Sequence, residues 1–320
     1  MTLDGGTPDD RTPESGPADA GTSHGADPAP GAFDPDRPVA VVTGASSGIG
    51  RAAARMLLNR GWQVIGTGRD PGRCADAERE LAAVAVAGGG RLALLRGDFT
   101  LMADVARVAA EITGRTRRVD VLINNAGGVR DRRIVTAEGT EATFAANHLA
   151  PFLLTRELLP LLRAVPGPDG PARVIAVSSS AHRIADGLPW DDLQSLDAFH
   201  AALAYGRAKL AAILFTRELA RRAAADGIVA QAMHPGVVAT NFAAHGDETM
   251  RRHMAAADTV PPDRPAETLL WLATGPEGAR GGGRYFHDLA EETPSEAARD
   301  DAAAARLWTA TEKLLAGLGF

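Results

Sequence analysis

Residues 39–50 read VAVVTGASSGIG, and the helix-forming stretch RAAARMLL follows at residues 51–58. The apolar run at 39–42 predicts a buried strand, and the Ala/Leu-rich stretch predicts a helix. Glycines at 44, 48 and 50 let the backbone turn tightly between the two and approach a pyrophosphate. The new helix offers free N–H groups and a positive dipole end to such an anion. A plain glycine-rich turn is the alternative, and it is disfavoured because a strand precedes the turn and a helix follows it.

The rest of the chain alternates short apolar runs with longer segments of helical period. Strands are expected at 39–43, 63–67, 91–95, 119–123, 173–178, 228–233 and 283–287. Helices are expected near 49–60, 74–87, 101–115, 136–163, 204–226, 265–274 and 296–316. This alternation predicts a single-domain α/β Rossmann fold, a doubly wound seven-stranded parallel sheet with helices on both faces. Ligands of such sheets bind beyond the carboxyl ends of the strands.

The domain is expected to span residues 37–320, with substrate loops at 183–203 and 239–262. Residues 1–36 are rich in Gly, Pro and Asp and carry almost no large apolar side chain. Because such a segment buries too little surface to offset the entropy of ordering, we expect a disordered N-terminal tail.

Composition and charge exclude several classes of function. The chain has 320 residues, 45% hydrophobic and 23% charged, and its net charge of −6 with scattered arginines argues against nucleic acid as a partner. No stretch reaches the roughly 20 apolar residues of a membrane span, and the N-terminus lacks the basic and apolar regions of a signal peptide. We therefore expect a cytoplasmic protein without a membrane anchor. The single cysteine, Cys74, permits no internal disulfide, and we expect no metal.

Lysine and tyrosine are scarce in this chain. Lysine occurs only at 209 and 313, and tyrosine only at 205 and 285. Codon bias accounts for the excess of arginine, but it does not explain a tyrosine and a lysine four residues apart. Positions i and i+4 of a helix share one face, so the Tyr205 phenol and the Lys209 ammonium should converge. A nearby cation lowers the pKa of a phenol from about 10, which would suit Tyr205 to proton transfer near neutrality.

The end of the second strand bears on the identity of a nucleotide cofactor. NAD-preferring enzymes of this fold usually carry a carboxylate there, whereas this chain reads Gly66-Thr67-Gly68-Arg69-Asp70. The Arg69 guanidinium can pair bidentately with a 2′-phosphate, and Arg51 could add positive charge. NADP(H) is therefore favoured. NAD(H) stays open because Asp70 is adjacent and because both arginines could be ordinary surface cations.

The motifs together resemble the short-chain dehydrogenase/reductase family over residues 38–290. The resemblance rests on TGASSGIG at 43–50, Asn124-Asn125-Ala126-Gly127, Tyr205-x-x-x-Lys209 and Pro235-Gly236. It implies that Tyr205 is the general acid/base and that Lys209 tunes it while holding the ribose.

The same resemblance implies two further catalytic residues. Asn147, in the long helix, corresponds to the active-site asparagine of the family. Ser179, in the segment Val177 to His182, corresponds to the hydroxyl that polarises the carbonyl oxygen. Ser180 is its main rival, because Ser178 should point to the other face of an extended strand.

The cofactor contacts follow from the resemblance too, with Asp98 at the end of the third strand matching an adenine-contacting aspartate. The implied contact residues are Thr43, Gly44, Ser46, Ser47, Gly48, Ile49, Gly50, Arg69, Asp98, Asn125, Ala126, Gly127, Tyr205, Lys209, Pro235, Gly236, Val238 and Thr240.

A finer likeness is visible in LPWDDLQS at 188–195, YGRAKLAAILFTRELARR at 205–222 and HPGVVATN at 234–241. These segments resemble the retinol dehydrogenase and WW-domain oxidoreductase-like branch of the family. The resemblance implies an NADP(H)-dependent oxidoreductase that interconverts a ketone or aldehyde and an alcohol on an apolar small molecule by hydride transfer. The alternatives are an NAD-linked alcohol dehydrogenase and a non-catalytic nucleotide-sensing regulator. Relatives often pair helices in homodimers or homotetramers, which the apolar segment PFLLTRELLPLL at 151–162 permits.

Overall fold

The computed structural model describes residues 1–3, 33–165, 170–240, 246 and 248–320. Most of the predicted tail at 1–36 and part of the predicted loop at 239–262 lie outside the described residues. The predicted tail boundary falls inside packed chain, because Phe33 is buried and its amide donates to Arg115 O over 3.0 Å. The buried Gln63 amide also holds the backbone of Asp34, accepting from its N–H and donating to its carbonyl, each over 2.7 Å.

Within the described residues, a sheet of eight strands forms the centre of the domain, in the order β3-β2-β1-β4-β5-β6-β7-β8. Its strands are β1 (Val39–Val42), β2 (Gln63–Gly68), β3 (Arg91–Arg96), β4 (Val121–Asn124), β5 (Ala172–Val177), β6 (Ile228–Met233), β7 (Tyr285–His287) and β8 (Ala290–Glu291). All neighbours pair in parallel except β7 and β8. The α/β doubly wound fold is confirmed, and the predicted count of seven strands is one short. The additional edge strand follows a turn in which Asp288 and Leu289 have φ of 48° and 65°, and Leu289 occupies the second position, where glycine usually signals such a turn.

Helices cover both faces of the sheet. They are α1 (Gly48–Leu58), α2 (Pro71–Gly88), α3 (Met102–Thr113), α4 (Ala142–Phe144), α5 (Ala150–Arg163), α6 (Ala201–Ala223), α7 (Glu248–Ala256), α8 (Asp263–Thr274) and α9 (Asp301–Gly317). Helices α1, α2 and α8 pack on one face, and α3, α5, α6 and α9 pack on the other. Successive residues of a strand point to opposite faces, so Val41 joins one core and Val42 the other. Both cores exclude water, which explains the uninterrupted apolar run of β1.

The helix predicted at 136–163 is shorter and irregular. Residues 136–140 form a turn in which Gly139 has a φ of 80°, a left-handed conformation that no helix accommodates. Glu141 then caps α4 by accepting the N–H of Phe144 over 2.8 Å. A π-helical segment at Ala145–Leu149 joins α4 to α5. Single π-turns within helices are frequent at functional sites, and this one contains Asn147.

Candidate active site

A cleft of about 290 Å³ opens at the carboxyl ends of the strands. It lies where the chain order reverses between β1 and β4, which is where open parallel sheets bind ligands. Most of the implied contact residues line it: Gly44, Ser46, Ser47, Gly48, Ile49, Arg69, Asp98, Asn125, Ala126, Gly127, Tyr205, Lys209, Pro235 and Thr240.

The glycine-rich turn connects β1 to the N-terminus of α1 at one side of the cleft. Gly44 has a φ of 72°, which a residue with a side chain rarely adopts. A Cβ on Gly50 would lie 2.4 Å from Gly44 O and 2.5 Å from Asn125 Nδ2. Gly50 is not among the residues that line the cleft, and its lack of a side chain allows the helix to start directly against the turn. The resulting surface of backbone N–H groups fits the pyrophosphate of a dinucleotide.

Thr43 lies behind the cleft and organises its floor. Its hydroxyl accepts the N–H groups of Asn125 and Ala126 over 2.9 Å and 2.8 Å. Asn125 Nδ2 in turn donates to Thr43 O over 2.8 Å. These bonds tie the end of β1 to the end of β4, so the structure gives Thr43 a supporting position instead of the predicted place on the cleft wall.

Positive charge collects at the end of the cleft beside β2. Arg69 and Asp98 face each other there at 3.9 Å, and Arg73 and Arg130 line the same region. Arg130 is half-buried, and burial together with the charge of Arg69 lowers its pKa. Arg51 is not among the residues that line the cleft: it pairs with Glu80 at 3.3 Å, and its contribution of positive charge stays a prediction.

Sequence reasoning missed Arg73 and Arg130 because arginine is common throughout the chain. One signal could have found Arg130, since it follows the Asn124–Gly127 motif by three residues and therefore emerges from a strand end at the cleft.

Tyr205 and Lys209 of α6 meet in the other half of the cleft, and both are almost fully buried. The Lys209 ammonium lies 5.6 Å from the centre of the Tyr205 ring and donates to Val177 O over 2.9 Å. Burial lowers the pKa of Lys209 from 10.5 to about 8. Burial also raises the pKa of Tyr205, and a hydrogen bond with the Ser179 side chain opposes that rise only in part. The expected lowering of the Tyr205 pKa is therefore wrong for the protein without nucleotide. Burial keeps the phenol protonated.

The three adjacent serines separate into three environments. Ser178 is buried and its hydroxyl donates to Lys209 O over 2.8 Å. Ser180 is exposed at the start of a 3-10 turn (Ser180–Ile184). Ser179 reaches Tyr205 with its side chain, and its hydroxyl oxygen also accepts the N–H of Ala181 over 3.1 Å. Among the three, this geometry favours Ser179 as the hydroxyl nearest the reacting group.

Asn147 lies behind the cleft wall. Its amide donates to Gly128 O over 2.8 Å and to Thr143 O over 2.7 Å, while its Oδ1 accepts the N–H of Gly128 over 3.2 Å. A Cβ on Gly127 would lie 2.4 Å from Asn147 Oδ1, so the two residues pack in direct contact.

A small cavity adjoins Asn147 and the buried side of Lys209. Asn124 and His148 also line it, and the space for the centre of a water molecule is about 10 Å³, room for roughly one water. Asn124 Oδ1 and His148 Nδ1 are buried without a partner among the described residues.

The segment after β6 contributes Pro235 and Thr240 to the cleft, whereas Gly236 and Val238 are not among its lining residues. Gly236 adopts a φ of 73°, and Val238 is buried and bridges to Val260. Trp190, in the predicted loop at 183–203, packs under Arg306 at 4.2 Å, and His245, in the predicted loop at 239–262, lies outside the described residues.

A glycine-rich turn at the switch point of a parallel sheet, with a buried Tyr-Lys pair across the same cleft and a serine side chain against the tyrosine, defines a nucleotide-dependent oxidoreductase of the Rossmann type. The family model described as short chain dehydrogenase matches residues 38–251. The chain therefore belongs to the short-chain dehydrogenase family.

Comparison with similar proteins supports the likeness to the retinol dehydrogenase branch of the family. Retinol dehydrogenase 14 of Homo sapiens is 36% identical over 291 residues, which cover 86% of this chain and 85% of that protein. Polyprenol dehydrogenase of Mus musculus is 34% identical and covers 84% of this chain and 81% of its own. Among solved structures, the RhlG/NADP active-site complex of Pseudomonas aeruginosa has a TM-score of 0.62 at 28% identity, covering 78% of this chain and 93% of that one.

No helix of the described residues has the length and apolar character needed to cross a bilayer.

Proposed function

We propose that the protein is an NADP(H)-dependent oxidoreductase that interconverts a ketone or aldehyde and the corresponding alcohol on an apolar small molecule. The observation that carries the proposal is the buried pair of Tyr205 and Lys209, which line the same cleft as the phosphate-binding turn and Arg69, with the side chain of the half-buried Ser179 in contact with Tyr205. A regulator that only senses nucleotide has no need of a phenol held protonated beside a buried lysine.

The nicotinamide, when bound, exchanges a hydride with the substrate carbon. The chain supplies the proton chemistry. Because burial keeps the Tyr205 phenol protonated, Tyr205 can donate its proton to a carbonyl oxygen as negative charge develops there. Ser179, already in hydrogen-bond contact with Tyr205, polarises and orients that oxygen.

Lys209 then stabilises the phenolate that proton donation leaves behind. Its ammonium approaches the Tyr205 ring at 5.6 Å, and its low pKa of about 8 brings its proton closer to transfer at physiological pH. The cavity behind Lys209 has room for roughly one water and two polar walls in Asn124 and His148. We assign to this cavity the relay that returns a proton to Lys209, with Asn147 shaping its wall.

The preference for NADP(H) over NAD(H) rests on the cationic end of the cleft. Arg69, Arg73 and Arg130 all border it, and a 2′-phosphate would relieve the repulsion between Arg69 and Arg130. Asp98 opposes them as the single carboxylate among the lining residues of the described chain. Sequence likeness to retinol and polyprenol dehydrogenases supports an apolar substrate class. A cytoplasmic location and a homodimeric or homotetrameric state stay predictions.

Oxidation of NADPH and of NADH, followed at 340 nm against a panel of aldehydes and ketones, tests the proposal. We expect NADPH-dependent reduction of apolar carbonyls and loss of nearly all turnover in Tyr205→Phe, since positioned proton transfer contributes about 10²- to 10⁴-fold. NADPH should still bind Tyr205→Phe with wild-type affinity in calorimetry. NADPH binding without oxidation across the panel would instead support a nucleotide-sensing regulator.

A further inference from the structure

His182 lies directly behind Ser179 and is completely buried. Its Nδ1 is 2.7 Å from the carbonyl oxygen of Ser179. Its Nε2 is 3.1 Å from the backbone nitrogen of Ser295, 113 residues further along the chain. The imidazole therefore bridges the serine of the proposed active site and the segment that follows β8.

The contacts with Ser179 and Ser295 allow only one form of the ring, and the Tyr285 hydroxyl, 3.4 Å from Nδ1, is compatible with it because a hydroxyl can also accept. A backbone N–H can only donate, so Nε2 must be the unprotonated acceptor for Ser295. A carbonyl can only accept, so the Nδ1 that faces Ser179 must carry the proton. His182 is thus a neutral imidazole with its proton on Nδ1. The Ser179 carbonyl receives a second bond from the His182 backbone N–H, over 3.1 Å.

We propose that His182 is a positioning residue for the reaction: as the Nδ1–H tautomer it fixes the backbone of Ser179, and it anchors that serine to the segment at 292–295. The inference rests on the proposed function, because only that function gives Ser179 a substrate oxygen to orient. Ser179 belongs to no strand or helix, because β5 ends at Val177 and the 3-10 turn begins at Ser180. Its hydroxyl reaches Tyr205 only as long as its backbone keeps this orientation.

The segment at 292–295 is itself held against the strand ends. Glu292 pairs with His234 Nε2 at 2.8 Å and with Arg183 at 2.5 Å. Arg183 also donates to Thr293 O over 2.7 Å. These three contacts hold the segment from which Ser295 donates its N–H to His182, so the position of Ser295 relative to the imidazole is fixed.

Tyr285 completes the packing around the imidazole. Its ring meets His182 edge-on, with centroids 5.2 Å apart, and stacks on His234 at 5.5 Å. This second tyrosine of the chain is buried against both histidines, and its hydroxyl lies 3.4 Å from His182 Nδ1.

Acid should release the anchor. A proton on Nε2 would face the N–H of Ser295, two donors against each other, and the bridge would be lost. The charged and titratable groups around the ring act in both directions: Arg183 and His234 disfavour the imidazolium and Glu292 favours it. Burial is the largest influence, and the pKa of His182 lies below its usual value. The bridge is therefore complete at neutral pH.

Nitrogen NMR of the full-length protein with ¹⁵N-labelled histidine tests the anchor without any substrate. His182→Asn identifies the His182 signals by difference. We expect a directly bonded proton on Nδ1 and none on Nε2 at neutral pH. A proton on Nε2, or rapid exchange between the two tautomers, would overturn the proposal.

Steady-state kinetics tests the consequence for catalysis. His182→Phe keeps the ring but removes both bonds, and we expect kcat to fall about 10- to 100-fold, as for small displacements of a reacting group, with NADPH affinity unchanged. His182→Asn can still donate to the Ser179 carbonyl but lacks the bond to Ser295, so we expect a smaller fall in kcat than in His182→Phe, to the level that wild type reaches when His182 is protonated. It should also lack the decline in kcat that wild type shows when His182 is protonated in acid. Ser180→Ala, at the exposed neighbour, is the control and should match wild type.

Equal kcat in His182→Phe and wild type, or an unchanged acid limb in His182→Asn, would contradict a positioning role. If His182→Phe does not fold, the Asn variant and the NMR measurement decide alone. Failure of the proposed function looks different: no carbonyl would be reduced by the wild-type protein, while the tautomer measurement would be unaffected.

Discussion

Replacing Lys209 by methionine should make the protein more stable while it abolishes turnover. Lys209 is nearly fully buried, and burial lowers its pKa from 10.5 to about 8. At pH 7 the lysine is charged in both the folded and the unfolded chain, so the lowered pKa corresponds to a cost of about 3 kcal/mol in the folded state. Methionine has a similar length and no charge, and it removes this cost.

One favourable contact is lost in the same substitution. The Lys209 ammonium donates to Val177 O over 2.9 Å, a bond worth about 1 kcal/mol. The expected net gain is therefore about 2 kcal/mol in the free energy of unfolding at pH 7. Urea unfolding of the protein without nucleotide measures it. The matched control is Lys313→Met at the only other lysine, which is exposed and should change the free energy by less than about 0.5 kcal/mol.

The dependence on pH gives the sharper test. Because the folded-state pKa is depressed, the cost is fully present below about pH 8 and disappears as the pH rises towards 10.5. The advantage of Lys209→Met should accordingly shrink between pH 7 and about pH 9.5. A variant less stable than wild type at pH 7, or an advantage that does not change over this range, would refute the reasoning.

Three further substitutions test other parts of the site. Lys209→Arg keeps the positive charge, yet it should lose most turnover because a guanidinium fork cannot occupy the compact place of the ammonium; normal kcat would rule out this role. Arg69→Asp should shift the preference from NADPH towards NADH in kcat/KM, and an unchanged ratio would assign selectivity elsewhere in the cleft. Gly50→Ala should destabilise the protein by about 1–3 kcal/mol, because the new Cβ meets backbone at 2.4 Å. Its control is Gly72→Ala, whose Cβ has an ordinary contact of 3.5 Å and should be neutral or slightly stabilising in thermal unfolding.

The fold was largely predictable because its signals are local. Doubly buried strands such as β1 need uninterrupted apolar runs, and the turn at Gly44 needs a residue without a side chain, so both are legible in a single stretch of sequence. The helix predicted at 136–163 shows the limit of this reasoning. Its apolar period is correct from residue 142 onward, but the turn at Gly139 and the π-helical segment depend on how the chain packs against the sheet.

The candidate site was predictable in its chemistry and less so in its environment. The spacing of Tyr205 and Lys209 already indicated a shared helix face, but it could not indicate the sign of the pKa shift. That sign depends on how deeply α6 is buried, and burial raises the phenol pKa more than its hydrogen bond lowers it. Similarly, the sequence does not distinguish the arginines that line the cleft from those that do not. In the structure, Arg51 pairs with Glu80, while Arg130 reaches the cleft.

The sequence by itself determined the strand-and-helix order, the phosphate-binding turn and the tyrosine-lysine pair, since each depends on residues near one another in the chain. Only the tertiary structure decided which serine contacts Tyr205 and which arginines face the cleft. It alone brought Ser295 to His182 across 113 residues. Contacts of that kind leave no signal in the local sequence, because they form only when folding brings distant segments to the same edge of the sheet.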